Sequence, residues 1–154
     1  IVTFLIIKIF TMLNILLYLL TIIVSVVFME IVAIFTHKYI MHGVGWFLHK
    51  SHHTNHDNKF ELNDFYFVIF SLPSMFSIIY GLLISNYILL SMGIGILIYG
   101  LIYIFLHDMY VHNRLGIKIR IESNYLKKIK KSHQKHHAVK SKNGASNFGF
   151  ITYK

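Results

Sequence analysis

THKYIMHGVGWFLHKSHHTNH, residues 36–56, decides how the chain is to be read: it carries His37, His42, His49, His52, His53 and His56 directly after a long apolar run. The pattern returns later. His107 and His112 repeat the spacing of His37 and His42, and His133, His136 and His137 repeat that of His49, His52 and His53, so ten of the eleven histidines fall into one doubled pattern. A single histidine is most often a satisfied structural residue, but that reading does not produce two matched copies. Within each triplet the residues stand at i, i+3 and i+4, which puts the imidazoles on one helical face. Within each pair they stand five apart, about 140° round an ideal helix. Such a pair converges only if the helix unwinds or bulges, or if the second histidine lies past the helix end; Gly43 and Gly45 favour the latter for His42. His56 has no counterpart and is expected at the surface.

The rest of the chain explains where such a cluster would sit. The 154 residues are 55% hydrophobic, too apolar for an ordinary soluble domain of this length. A helical span of the hydrocarbon core takes about 20 apolar residues, and three stretches supply them, roughly 12–35, 65–85 and 87–106. The expected fold is therefore all-α: a single membrane-embedded domain over 1–154, an integral membrane bundle of three to four transmembrane helices with a histidine-rich dimetal cap. The fourth helix would be a short interfacial one near residues 40–50. Gly93, Gly95 and Gly100 are expected to let helices approach closely, and Pro73 to kink the second span. The first apolar run is too long for a signal core and lacks a small-residue cleavage site before His37, so it reads as a retained span. Residue 1 is Ile rather than Met; Met12 is a plausible start, and residues 1–11 are expected to carry little function.

Charge orients the bundle. The formal charge is +9, and of the fifteen Lys and Arg only Lys8 precedes the first span, the others lying at 38–59 or 114–154. By the positive-inside rule the first span runs inward, the second and third form a hairpin turning near Asn86, and both histidine halves, with the basic region 107–154, face the cytoplasm. The basic run from Arg114 to Lys142 reads as a surface for anionic lipid that sets topology, and in a sharper reading as a dock for an acidic electron-transfer protein. There is no nucleic-acid motif. The absence of cysteine excludes disulfides, thiolate-ligated haem and cysteine nucleophiles, so electrons must come from a partner.

Four carboxylates lie near the histidines. Glu30 stands two helical turns before His37 and is either an acceptor or packing partner beside the site or a carboxylate reaching water at the interface. Glu61 and Asp64 precede the second span and can orient ligand imidazoles; for Asp64 a helix cap is the favoured role. Asp108 follows His107 and is an outer partner, an oxygen ligand or an interfacial residue. Imidazole suits several metals, but a single zinc site closes with four ligands, and ten histidines fit two ions better. Two nearby iron ions so ligated can reduce dioxygen to an oxidant able to remove hydrogen from an unactivated carbon.

The residues between the histidines narrow this further. Phe35-Thr36-His37-Lys38-Tyr39-Ile40-Met41-His42-Gly43, Trp46-Phe47-Leu48-His49-Lys50-Ser51-His52-His53, Phe60-Glu61-Leu62-Asn63-Asp64, His107-Asp108-Met109-Tyr110-Val111-His112, His133-Gln134-Lys135-His136-His137 and Phe148-Gly149-Phe150 resemble the bacterial β-carotene 3-hydroxylases of the fatty acid hydroxylase superfamily, over roughly residues 29–151. The resemblance implies an inner-membrane non-haem diiron monooxygenase that converts β-carotene through β-cryptoxanthin to zeaxanthin. It implies dioxygen as co-substrate and electrons from ferredoxin and its reductase. The implied iron ligands are His37, His42, His49, His52, His53, His107, His112, His133, His136 and His137. His56 and Asn113 depart from the family pattern, where Asn113 often has a basic counterpart. The alternatives are a fatty acyl or sterol hydroxylase or a carotenoid ketolase of the same superfamily and, from another class, a membrane metal- or haem-binding module without turnover.

Overall fold

The computed structural model describes residues 2–54, 60–114 and 116–153, and among them it is all helix and loop. Helix α1 spans Val2–Phe35 and runs without a break into a π-helical segment, Thr36–Val44, that ends in a kink at Gly43. The short α2, Trp46–His53, follows directly. Helices α3, Asp64–Leu83, and α4, Tyr87–Tyr103, form a hairpin, and α4 in turn runs into a second π-helical segment, Ile104–Val111. The last helix, α5, is Asn124–Ala138. Three helical runs, Val2–Val44, Asp64–Leu83 and Tyr87–Val111, are long and apolar enough to cross a membrane. Most of their apolar side chains are exposed, as lipid-facing surface should be. The first run is longer than the expected 12–35 at both ends, and α2 is too short to be a fourth span.

The register follows from close approaches. Along α1 and α4, Tyr18 meets Tyr87 at 5.9 Å between rings and the Tyr99 hydroxyl donates to Glu30 at 2.7 Å, so the two helices run parallel. Between α3 and α4, the Ser74 hydroxyl donates to the Gly93 carbonyl at 2.8 Å. Asn86 closes the hairpin by capping α4, its side chain accepting from the Leu89 amide at 3.0 Å. This up, down, up order brings the C-terminal ends of α1 and α4 and the N-terminal end of α3 to one end of the bundle.

The three glycines expected at helix contacts are not equivalent. A Cβ on Gly93 would lie 2.8 Å from the Ile78 backbone, and one on Gly95 2.5 Å from the Ser25 Cβ. Gly100 has nothing within 4 Å, so its expected packing role is corrected: it faces open space. Gly95→Ala should therefore force α1 and α4 apart, costing about 1–3 kcal/mol and lowering the thermal midpoint in detergent, while Gly100→Ala should leave it unchanged. Equal midpoints for the two variants would contradict this packing.

Candidate dimetal site

The two π-helical segments solve the five-residue spacing. Where the backbone bonds i to i+5, residues five apart come round to neighbouring positions; the His112 amide donates to the His107 carbonyl at 3.0 Å in this way. His37 and His42 both lie inside the first segment, so the expectation that His42 lies past the helix end is corrected: the helix bulges, and the glycine kink comes after His42. Their rings lie 5.4 Å apart, and those of His107 and His112 4.5 Å. Asn113 then turns the chain with φ of 52°, a left-handed conformation that asparagine tolerates better than most residues.

The ten histidines gather into two groups: His37, His42, His49, His53 and His136, and His52, His107, His112, His133 and His137, with one nitrogen from each residue lying within 4.8 Å of the others in its group. The groups do not follow the sequence halves. Helices α2 and α5 each send two histidines to one group and the middle one of the triplet, His52 or His136, to the other. The groups share a wall, where His53 and His137 stack at 4.4 Å. His56, expected at the surface, lies outside the described residues.

Every imidazole of the first group has an oxygen at Nδ1: the carbonyls of Phe148 for His37 at 3.0 Å, Lys142 for His42 at 2.9 Å, Val139 for His53 at 2.9 Å and Ser146 for His136 at 2.7 Å, and Asn63 Oδ1 for His49 at 2.6 Å. In the second group His52 Nδ1 meets Glu61 at 2.7 Å and His107 Nδ1 meets Asp108 at 2.8 Å. A carbonyl only accepts, so Nδ1 must carry the proton and Nε2 a bare lone pair. These Nε2 atoms face one another at 3.1 Å for His37 and His49, 3.1 Å for His42 and His136, 3.2 Å for His49 and His53, and 3.0 Å for His52 and His107. The His137 Nε2 is buried with no hydrogen-bond partner among the described residues. Lone pairs converging in a buried space call for a cation between them, and the donor set fits two metal ions.

A search of known proteins agrees with that chemistry. The family model for fatty acid hydroxylases matches residues 3–154. The chain belongs to the fatty acid hydroxylase family. Among its curated relatives, the beta-carotene hydroxylase of Pseudescherichia vulneris is 42% identical over 86% of this chain and 74% of its own length. That of Pantoea ananas is 41% identical over 83% and 73%, and that of a Paracoccus species 36% over 86% and 82%. No solved structure matches.

The carboxylates take different places in this family member. Glu61 and Asp108 hold imidazoles, as given above. Asp64 lies in the first turn of α3, where its Oδ2 accepts from the Glu61 amide at 3.0 Å, reaching back to the helix start as a cap does, and it also takes a two-pronged contact from Arg114 at 2.7 and 2.8 Å. Arg114 also lies 3.6 Å from Asp108, linking the start of α3 to His107. Among the described residues Glu30 has no hydrogen bond to a histidine; it binds the backbone of residues 150–152 and the Tyr99 hydroxyl. Asn63, given no role of its own in the sequence, is the partner of His49. The backbone acceptors at 139–148 carry no side-chain signal by which sequence could announce them.

Two cavities flank the histidines. A polar one of about 820 Å³ opens beside His52, Glu61, His112, His133, His137 and Lys140. An apolar one of about 350 Å³ lies among α1, α3 and α4 under Tyr103 and Phe150. Tyr103 stacks on His107 at 4.5 Å, and Phe150 lies parallel to His37 at 5.3 Å.

Burial keeps the histidines beyond the spans neutral. It pushes His49 and His136 down to about 3 and His53 and His112 to about 4, and holds His52, His133 and His137 well below the ordinary value of 6.5. Below pH 6.5 the unfolded imidazoles bind protons that the folded ones refuse, so stability falls as pH drops, by up to about 1.4 kcal/mol per unit for each such group. The thermal midpoint of iron-free protein should therefore be level above about pH 7 and fall steeply toward about pH 5. A midpoint that does not move over that range would show that the set is not held neutral.

Proposed function

We propose that the chain is a β-carotene 3-hydroxylase, hydroxylating each β-ionone ring to give zeaxanthin through β-cryptoxanthin. The observation that carries this reading is the double group of inward-turned imidazoles, in a chain 36–42% identical to bacterial beta-carotene hydroxylases. The five histidines of each group would hold one iron ion. The chemistry that such a pair supplies when bound is activation of dioxygen: one oxygen atom enters a C–H bond, and the other leaves as water at the expense of two electrons from a donor.

The chain's own residues prepare the site for that chemistry. The carbonyls of Val139, Lys142, Ser146 and Phe148, with Asn63, fix each imidazole of the first group in the tautomer that binds metal. Glu61 and Asp108 sit behind His52 and His107, where carboxylates raise ligand basicity and offset positive charge. The apolar cavity admits an apolar ring and excludes water, and the polar cavity gives protons and product water a separate route.

Helix α5 buries His133 and His136 while exposing Lys127, Lys128, Lys131 and Lys135. That basic face suits an acidic electron carrier, ferredoxin with its reductase, and a cytoplasmic orientation of the histidine end in a bacterial inner membrane. Pigment chromatography on a β-carotene-accumulating bacterium expressing the chain tests the reading. Zeaxanthin and β-cryptoxanthin are expected; unchanged β-carotene, with iron-loaded protein and a working electron supply, would assign the site to another lipid of the same family.

A further inference from the structure

The hairpin of α3 and α4 is tight at its turn and parted near the histidines. A Cβ on Gly81 would lie 2.7 Å from the Leu90 backbone and one on Gly93 2.8 Å from that of Ile78, whereas one on Gly100, two turns nearer the histidines, would meet nothing within 4 Å. The 350 Å³ cavity occupies that gap. Leu97, Gly100, Leu101 and Ile104 line it at i, i+3, i+4 and i+7, one face of a helix. Its walls also include Phe67, Met75 and Leu97, which are exposed on the bundle's outer surface, so the cavity reaches the lipid side. The hydroxyls of Tyr66, Ser71, Ser74 and Tyr99 that border it are bonded to Gly45, Val68, Gly93 and Glu30, leaving an apolar lining. A cavity of about 150 Å³ holds a benzene molecule; one of about 350 Å³ holds a methyl-substituted six-membered ring and the first few carbons of its tail, and no more of a long molecule.

We propose that this cavity is the end-group pocket, entered sideways from the bilayer between α3 and α4, and that Gly100 is the residue that sets the size of ring admitted. This rests on the proposed carotene reading for the identity of the ring. Toward the histidines it is lined by Tyr103 and Phe150, whose rings lie directly on His107 and His37. A ring seated there is one aromatic layer from both histidine groups, while the polyene stays in the slot and the lipid beyond. A side chain at position 100 projects into the space that the ring needs.

The test uses purified iron-loaded protein in detergent, with β-ionone as a probe that carries the ring and a short tail, and the pigment-accumulating host in parallel. Gly100→Phe fills the pocket, Leu97→Trp narrows it from its exposed edge, and Leu83→Trp adds the same bulk at the exposed far end of α3 as a control. Gly100→Phe and Leu97→Trp are expected to weaken saturable β-ionone binding at least about tenfold and to cut pigment conversion similarly, with iron content unchanged; Leu83→Trp should match the wild type in both. If Gly100→Phe fails to load iron, Leu97→Trp decides. Wild-type binding by the iron-loaded pocket variants, or no saturable binding by the wild type, overturns the pocket. Binding that follows the expected order without any wild-type conversion of β-carotene overturns the hydroxylase reading and leaves the pocket standing.

Discussion

Replacing His52 with alanine is expected to abolish hydroxylated pigment while leaving the chain in the membrane at its normal level. His52 is the one histidine that α2 sends to the second group. Its Nε2 faces His107 at 3.0 Å, its Nδ1 is held by Glu61 at 2.7 Å, and its ring lies 4.5 Å from that of His112. None of the three spanning runs contains it, so insertion has no reason to fail. Loss of the side chain removes a donor from one group and leaves the five members of the other untouched. Iron content should thus fall toward one ion per chain rather than to none, and product should disappear because the proposed reaction needs both. His136→Ala is the mirror case, withdrawing the one member that α5 gives to the first group. Glu61→Ala separates ligation from orientation: it leaves His52 in place without its partner, and loss of such an outer contact costs about 10–100-fold. Pigment analysis and iron content measured on all three variants would settle the roles. Conversion retained in either histidine variant would refute the assignment of that residue.

The spans, the hairpin turn and the doubled histidine pattern were legible in the sequence because each rests on local order: apolar length, a break near Asn86 between two apolar runs, and fixed spacing. The partition of the histidines was not. Triplet spacing announces a shared face, but at about 100° per residue the i+3 and i+4 members fall on opposite sides of the first, so neighbours in sequence diverge in space. This is how His49 and His53 join one group while His52 joins the other. The π-helical bulges were only partly visible, since a five-residue gap requires an irregularity without naming it. Gly93, Gly95 and Gly100 look alike in sequence, and only the packing of α4 distinguishes them: Gly93 meets α3, Gly95 meets α1, and Gly100 faces open space. The largest omission was the stretch from Val139 to Thr152. It supplies acceptors through its backbone, whose chemistry is the same whatever the side chains, and its anchor, Glu30, lies more than a hundred residues away.

That anchor carries the second large prediction. Glu30 Oε1 accepts from the amides of Phe150, Ile151 and Thr152 at 3.1, 3.0 and 2.8 Å and from the Thr152 hydroxyl at 2.8 Å, while Oε2 takes the Tyr99 hydroxyl at 2.7 Å. A carboxyl cradled by successive amides pins the chain end to α1. Gly149 permits it, since a Cβ there would lie 2.8 Å from Oε1. Two residues upstream, the Phe148 carbonyl holds His37, and Ser146 holds His136. Glu30→Ala would leave these donors unsatisfied, at about 1–3 kcal/mol for each that stays buried, so the segment should instead detach. His37 and His136 would then lose the contacts that fix their tautomers, and Phe150 would leave the wall between the apolar cavity and the histidines. The expected result is rapid proteolysis after Asn143 and conversion reduced by about 10–100-fold, the range for loss of an outer contact to a metal ligand. Glu30→Gln keeps an acceptor oxygen for the amides and disturbs chiefly the Tyr99 contact, so it should retain the protected tail and most of the activity. If Glu30→Ala showed a protected tail and full conversion, the segment would be held by other contacts, and Glu30 would be no more than a packing residue between α1 and α4.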